Sequence, residues 1–513
     1  MLKLGSSLAA LLLSAGLCLA DPLPELTIAV GEAPEAGFDP VQGWADLGAP
    51  LFQSTLLARN EDLSSRSDLA EAVELSDDGL RWTITLRKGL RFSDGSPLGA
   101  RDVAYTFLAT KAGVNARDMS MMTDAVVLDE RRLEIMLSKP WISFADAFYT
   151  LGIVPADRHG AGYGRNPLGS GPWRLTHWAE GEQLIAEPNP FYHGKAPNFS
   201  KLTLLLGAPE LGLAAARAGQ VHLAVLPATM ADLQVDGFTR LSLPSVDVRG
   251  ISLPLSMPNE DGSIGHAVTA DPAIRQAINL GLDRQSLIEV ALNGMGQPAI
   301  GPVDALPWSG REVFKTDIEA ANAILEASGW LRPEGKPKAP RERNGMKAAF
   351  RLNYPASDPV RQAMAEAFAL LMRPLGISVE PKGGSWEALD RVLHSEPVLF
   401  GFGSLSPDLI YDLFASERQR SGYRNPNSYA TEEVDQLLAQ AQAAPSLQAS
   451  YPYWADAQRL AGVEGDNAWA WLATLDHLYL VDDCLQLGPQ ALQPHGHGWP
   501  ILATIENWRW TCE

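Results

Sequence analysis

Apolar and polar positions along this chain follow two rhythms, one of period two and one close to 3.6 residues. Glu25-Leu26-Thr27-Ile28-Ala29-Val30 reads as a short buried strand followed by turns rich in Gly and Pro. Asp77-Asp78-Gly79 predicts a turn, Arg81 to Leu86 alternates as a half-buried strand does, and Asp94-Gly95-Ser96-Pro97 leads into a helix over Ala100 to Leu108. Further on, Ala349 to Asn353 predicts a strand before a helix from Pro359, and Val398 to Gly401 a strand before a polar turn. Strands followed by helices imply open mixed sheets, in which ligands lie at strand ends and domain junctions.

The first twenty residues differ from the rest. Lys3 precedes an apolar run from Leu8 to Leu17, and Cys18-Leu19-Ala20 sets small residues at the cleavage positions, the pattern of a secretory signal peptide. Leu17 before Cys18 argues against lipid anchoring, so cleavage after Ala20 is expected, leaving an exported, periplasmic protein. Cys484 and Cys512 then remain, an even count entering an oxidising compartment, and they are expected to pair. With 61 acidic against 41 basic residues the formal charge is −20, which makes nucleic acid a poor partner because phosphate binding needs a basic surface. No His-Glu-x-x-His, Gly-x-Ser-x-Gly or phosphate-loop motif is present, so the chain is not expected to be an enzyme and no catalytic residue or catalytic cofactor is assigned.

Several segments carry a family resemblance. The run from Ser76 to Gly89 continuing through Phe92-Ser93-Asp94-Gly95-Ser96-Pro97 resembles the signature of the peptide/nickel class (family 5) of ABC-importer solute-binding proteins. Gly169-Ser170-Gly171-Pro172-Trp173, Asn189-Pro190-Phe191-Tyr192, Asp271 to Asn279 with Leu282-Asp283-Arg284, Ala320 to Trp330, and Gly422-Tyr423 with Val434 to Leu438 match that family in order. The resemblance implies a bilobal α/β fold of the periplasmic-binding-protein type (type II, large form), with an extra α+β subdomain in the first lobe. The expected division is a signal peptide at 1–20 and lobe 1 at 21–255 with the insert at about 45–165. Lobe 2 would follow at 256–470, and 471–513 would return to lobe 1. A monomer working with an ABC membrane permease is implied.

Candidate ligand groups follow. His495 and His497, in the loop Gln493-Pro494-His495-Gly496-His497-Gly498-Trp499-Pro500, could offer two imidazoles to a borderline metal; the bland alternative is a hydrogen-bonded turn. Asp358 can cap the helix starting at Pro359, placing Arg361 in its first turn to hold a ligand carboxylate, or merely to form a surface ion pair. Asp408, in the segment Gly401 to Tyr411, resembles the aspartate that holds a peptide ammonium in the family, although Pro407-Asp408 reverses the usual Asp-Pro; it could equally cap the next helix. Trp173 and Trp386 could stack on a ligand or fill the core. The ligand expected is nickel or a related divalent metal as an organic chelate. A di- or oligopeptide is the alternative and a metallohydrolase the remote one.

Overall fold

The computed structural model describes residues 24–45, 48, 50–113, 117–310, 314–496 and 498–512. The expected signal segment lies outside them, and among the described residues no helix is long and apolar enough to cross a membrane.

Two large sheets organise the chain. The first has seven strands, in spatial order Phe238–Leu243, His477–Asp482, Leu223–Leu226, Glu25–Val30, Lys201–Leu206, Gln183–Pro188 and Trp173–Ala179. The strand expected at 25–30 is present and runs parallel to both 201–206 and 223–226. The second has six strands, in order Gly296–Pro298, Trp469–Leu475, Val248–Ser252, Val398–Phe402, Ala349–Pro355 and Ser378–Gly384. Each sheet is covered on both faces by buried apolar residues, which gives two lobes of mixed α/β construction.

The crossings between lobes correct the sequence-derived boundaries at 255 and 470. The 248–252 and 469–475 strands both belong to the second sheet, so the chain crosses near Pro244–Asp247 and returns at Asp476. All five residues of Val248–Ser252 are buried. A strand covered on both faces has no alternation to announce that it has entered a new sheet, so it reads as an extension of the preceding one.

The inserted subdomain is a four-stranded antiparallel sheet, ordered Ala70–Leu75, Arg81–Leu86, Arg132–Leu137, Met122–Val127, with helix Ala100–Ala112 against it. Trp82, Ile84 and Leu86 point inward and Arg81, Thr83 and Thr85 outward or to the rim, which is the alternation that made this strand legible. Helix starts in lobe 2 are equally local in origin. Asp271, Asp283, Asp317 and Asp358 each accept a backbone N–H from the first turn, and Pro272 and Pro359 occupy first-turn positions where no N–H is needed. Helix Ile318–Ala327 ends as expected before Trp330, whose indole N–H reaches Asp271 Oδ2 at 2.8 Å in the core. Cys484 and Cys512 are disulfide-bonded, with a Cα–Cα distance of 5.2 Å, and tie the last residues to lobe 1.

Candidate functional site

Three strands of lobe 2 end on the same side. Strand 349–355 is parallel to 378–384 and to 398–402, and the helices Pro359–Leu371, Trp386–Asp390 and Asp408–Phe414 begin just beyond their carboxyl ends. That is where open α/β sheets present ligand groups.

Arg361 stands at this edge, in the first turn of the 359–371 helix. Asp358 Oδ1 accepts its backbone N–H at 2.9 Å and Asp358 Oδ2 takes its guanidinium at 2.7 Å. The pair is not a surface ion pair, because Arg361 is only 5% exposed. Arg249, from the 248–252 strand, lies against it. A Cβ on Gly401 would come within 2.5 Å of Arg361 Nη2 and 2.7 Å of Arg249 Nη1, so glycine is what lets two guanidinia share this space. Burial and then the like charge of Arg249 pull Arg361 down to about 10, which leaves it protonated at neutral pH. The Nε of each arginine is buried without a hydrogen-bond partner. Trp386, 42% exposed, sets its ring 5.8 Å from the Arg361 guanidinium carbon and packs edge-on against Tyr423, whose hydroxyl donates to Asp390 Oδ1 at 2.8 Å.

Asp247 connects this edge to the lobe crossing. It is 4% exposed and forms a two-point pair with Arg249, while His495 Nδ1 contacts its Oδ1 at 2.8 Å and His477 Nε2 its Oδ2 at 3.3 Å. Burial alone would raise this carboxyl. The Arg249 guanidinium, and then His495 and His477, instead hold it well below the usual carboxylate range. His477 Nδ1 lies 2.7 Å from Gln493 Oε1, which also accepts the Tyr479 hydroxyl at 2.7 Å. The His495 backbone N–H donates to the Gly403 carbonyl at 2.9 Å, and a Cβ on Gly403 would meet the histidine at 2.9 Å. His495 is therefore placed against the Gly401–Tyr411 segment singled out from the sequence. His497 lies outside the described residues. Among the described residues no group of three or more His, Cys, Asp or Glu could hold a metal ion. A metal at His495 would need further donors from elsewhere, such as a chelating ligand.

Beside this cluster a pocket open to solvent lies between lobe 1, the inserted subdomain and the return segment, with Leu405 contributed by lobe 2. Gln53, Arg59, Tyr149, Leu405, Gln493 and Pro494 contribute to its wall. Arg59 lies 4.2 Å over the Tyr149 ring and pairs with Asp146 at 2.6 Å, a carboxylate that Arg117 also holds at 2.6 Å.

The remaining expectations fare unequally. Trp173 is fully buried in the lobe 1 core, which corrects its assignment as a stacking surface: both faces of the indole are covered by protein. Asp408 does not cap the helix that it opens. Its Oδ1 accepts the Ser143 hydroxyl at 2.6 Å and Gln442 Nε2 at 2.9 Å, and burial, partly opposed by these bonds, raises the carboxyl. Sequence reasoning missed Asp247, Arg249 and Arg59. The first two carried a signal, an acid and a base two apart at the start of a short run that is buried throughout; Arg59 carried none.

Two lobes joined by crossing segments, with charged groups at the crossing and an open pocket beside them, have the plan of a two-domain solute-binding protein. Residues 66–429 match the family described as bacterial extracellular solute-binding proteins, family 5 Middle, and the chain belongs to that family. It is 32% identical over 476 residues to Protein XP55 of Streptomyces lividans, covering 89% of this chain and 85% of that one. NikZ from Campylobacter jejuni, solved with Ni(L-His), superposes with a TM-score of 0.80 at 23% identity, covering 95% of this chain and 99% of that one. The oligopeptide-binding protein AppA from Bacillus subtilis, solved with a nonapeptide, gives 0.74 at 22% identity with the same coverage. At these identities the two structures establish the shared fold and nothing about the ligand.

Proposed function

We propose that this is an extracytoplasmic solute-binding protein that hands a small ligand to an ABC import permease, and that the ligand is nickel or a related divalent metal carried as an amino-acid chelate. Family membership supports the first half. The second rests on His495, an imidazole oriented by the buried carboxylate of Asp247 beside the guanidinia of Arg249 and Arg361. A carboxylate on one ring nitrogen fixes the orientation of a metal-binding histidine, and a neighbouring guanidinium suits the carboxylate of a chelating amino acid. His497, two residues on, is the companion donor in this reading, and Trp386 flanks the ligand.

One observation favours the peptide alternative. The pocket wall sets the Arg59 guanidinium among Tyr149, Leu405 and Pro494, a mix of charge with aromatic and apolar surface that suits a peptide. A peptide ammonium at Asp408 would, however, have to displace Ser143 and Gln442.

Calorimetric titration of the refolded, ligand-stripped mature protein separates the two. Nickel with free L-histidine should bind tightly, nickel alone weakly, and the His495→Ala/His497→Ala double variant should lose the mixture. Dipeptide binding that survives loss of both histidines would overturn the metal reading and move the protein to the peptide carriers.

A further inference from the structure

The chain inserts its subdomain into lobe 1, yet packs the subdomain's apolar core onto lobe 2. Phe107, Trp141 and Phe148 from the insert share one continuous buried cluster with Ile410, Tyr411 and Trp454 from the second lobe. Trp141 meets the Tyr411 ring edge-on with centroids 4.6 Å apart.

Polar contacts flank that aromatic pair on both sides. On one, the Ser143 hydroxyl donates to Asp408 Oδ1, the Ser143 N–H donates to Gln442 Oε1 at 3.3 Å, and Gln442 Nε2 returns to Asp408, closing a three-membered network. Ser143 and Gln442 are each 2% exposed, so these bonds are made away from bulk water, where losing a partner costs most. On the other side Asp118 of the insert pairs with Arg418 of lobe 2, which is also held by Asp412 at 3.3 Å. Farther along, Arg59 Nη2 reaches the Leu405 carbonyl at 3.4 Å. The contacts of Ser143, Asp118 and Arg59 join the insert to lobe 2, while the Gln442–Asp408 and Arg418–Asp412 contacts hold their lobe 2 partners in place.

We propose that this seam is a closure latch: direct contacts between the inserted subdomain and lobe 2, centred on Ser143, Asp408, Gln442 and the Asp118–Arg418 pair, stabilise the closed arrangement by themselves, and a ligand adds to that closure. A two-state equilibrium shifts only by the difference in interaction free energy between its states. Contacts that exist only when the lobes meet raise the closed population before any ligand arrives, and so increase apparent affinity. The latch holds for a metal chelate and for a peptide alike.

Small-angle X-ray scattering of the ligand-stripped mature chain tests it without any ligand. Wild type should scatter as a compact chain of this length, with a radius of gyration near 23 Å. Ser143→Ala/Arg418→Ala should expand it by roughly 1 Å, the scale of a hinge opening, at unchanged far-ultraviolet circular dichroism. Asp118→Asn removes the ion pair from a partly exposed position; it should move the radius the same way by less, and it decides the matter if the double variant fails to fold. Arg101→Ala, at the exposed Arg101–Asp157 pair, should leave the radius unchanged. Equal radii for wild type and both seam variants would overturn the latch, as would a wild type already as expanded as the double variant.

Discussion

The two places where one lobe meets the other are built in contrasting ways. At the crossing, Asp247 gathers Arg249, His477 and His495 around one buried carboxylate that stays ionised. At the seam, Asp408 and Asp412 are carboxylates pushed upward by burial, with Asp412 at about 6. A charge surrounded by opposite charges resists change, whereas a carboxyl raised by burial favours its neutral form and returns to its ordinary range once water reaches it. The crossing is constructed to persist. The seam is constructed so that separation relieves part of its own cost.

The largest expected effect lies at the crossing. Asp247→Ala leaves Arg249 buried without its counter-charge and should cost about 3–5 kcal/mol, read from the midpoint of urea unfolding. Asp408→Ala, at the seam, should cost less than half of that; a larger loss there would erase the contrast. Replacing Cys484 and Cys512 by serine, which frees the return segment that carries Gln493 and His495, should cost about 3 kcal/mol in the same assay.

A third test uses pH. Asp412 is raised from 3.8 to about 6, first by burial and then by the balance of Arg424, Asp408 and Arg418 around it, so the folded state takes up its proton before the unfolded state does. Its contribution to stability is fully present below pH 3.8 and is lost as pH rises through about 6. Asp412→Asn should therefore gain stability relative to wild type between pH 4 and pH 8. The side chain is 31% exposed and water screens it, so the change should be on the order of 1–2 kcal/mol. A pH-independent difference would show that Asp412 titrates normally. The smallest effect is expected at the exposed Arg391–Glu387 pair, where Arg391→Ala should change stability by less than about 0.5 kcal/mol.

How much of this was legible beforehand depended on the range of the interaction. The Asp358 cap and the placement of Arg361 followed from four consecutive residues, because Asp-Pro before a helix has a local mechanism. The 81–86 strand and the helix after Asp94-Gly95 were legible for the same reason, and the family segments gave the bilobal plan. Arg249 was not, since Gly401 and Arg361, the groups that give it meaning, are far along the chain. The same holds for Asp408, whose partner Ser143 is 265 residues away. Trp173 and Trp386 look alike in sequence; only packing separates the core indole from the exposed one.

The position of the 477–482 strand also governs how the molecule must be assembled. Strand 238–243 pairs with it alone and 223–226 needs it on one side, so the first sheet stays incomplete until the chain has emerged as far as Asp482. Lobe 2 can gather its six strands by Leu475, before that last piece arrives. The lobe that begins first is thus finished last, and until then an unpaired strand edge is open to the wrong partner. A chain stopped between Leu475 and His477 would carry a complete second sheet attached to a first sheet of five paired strands with an adhesive edge at 223–226.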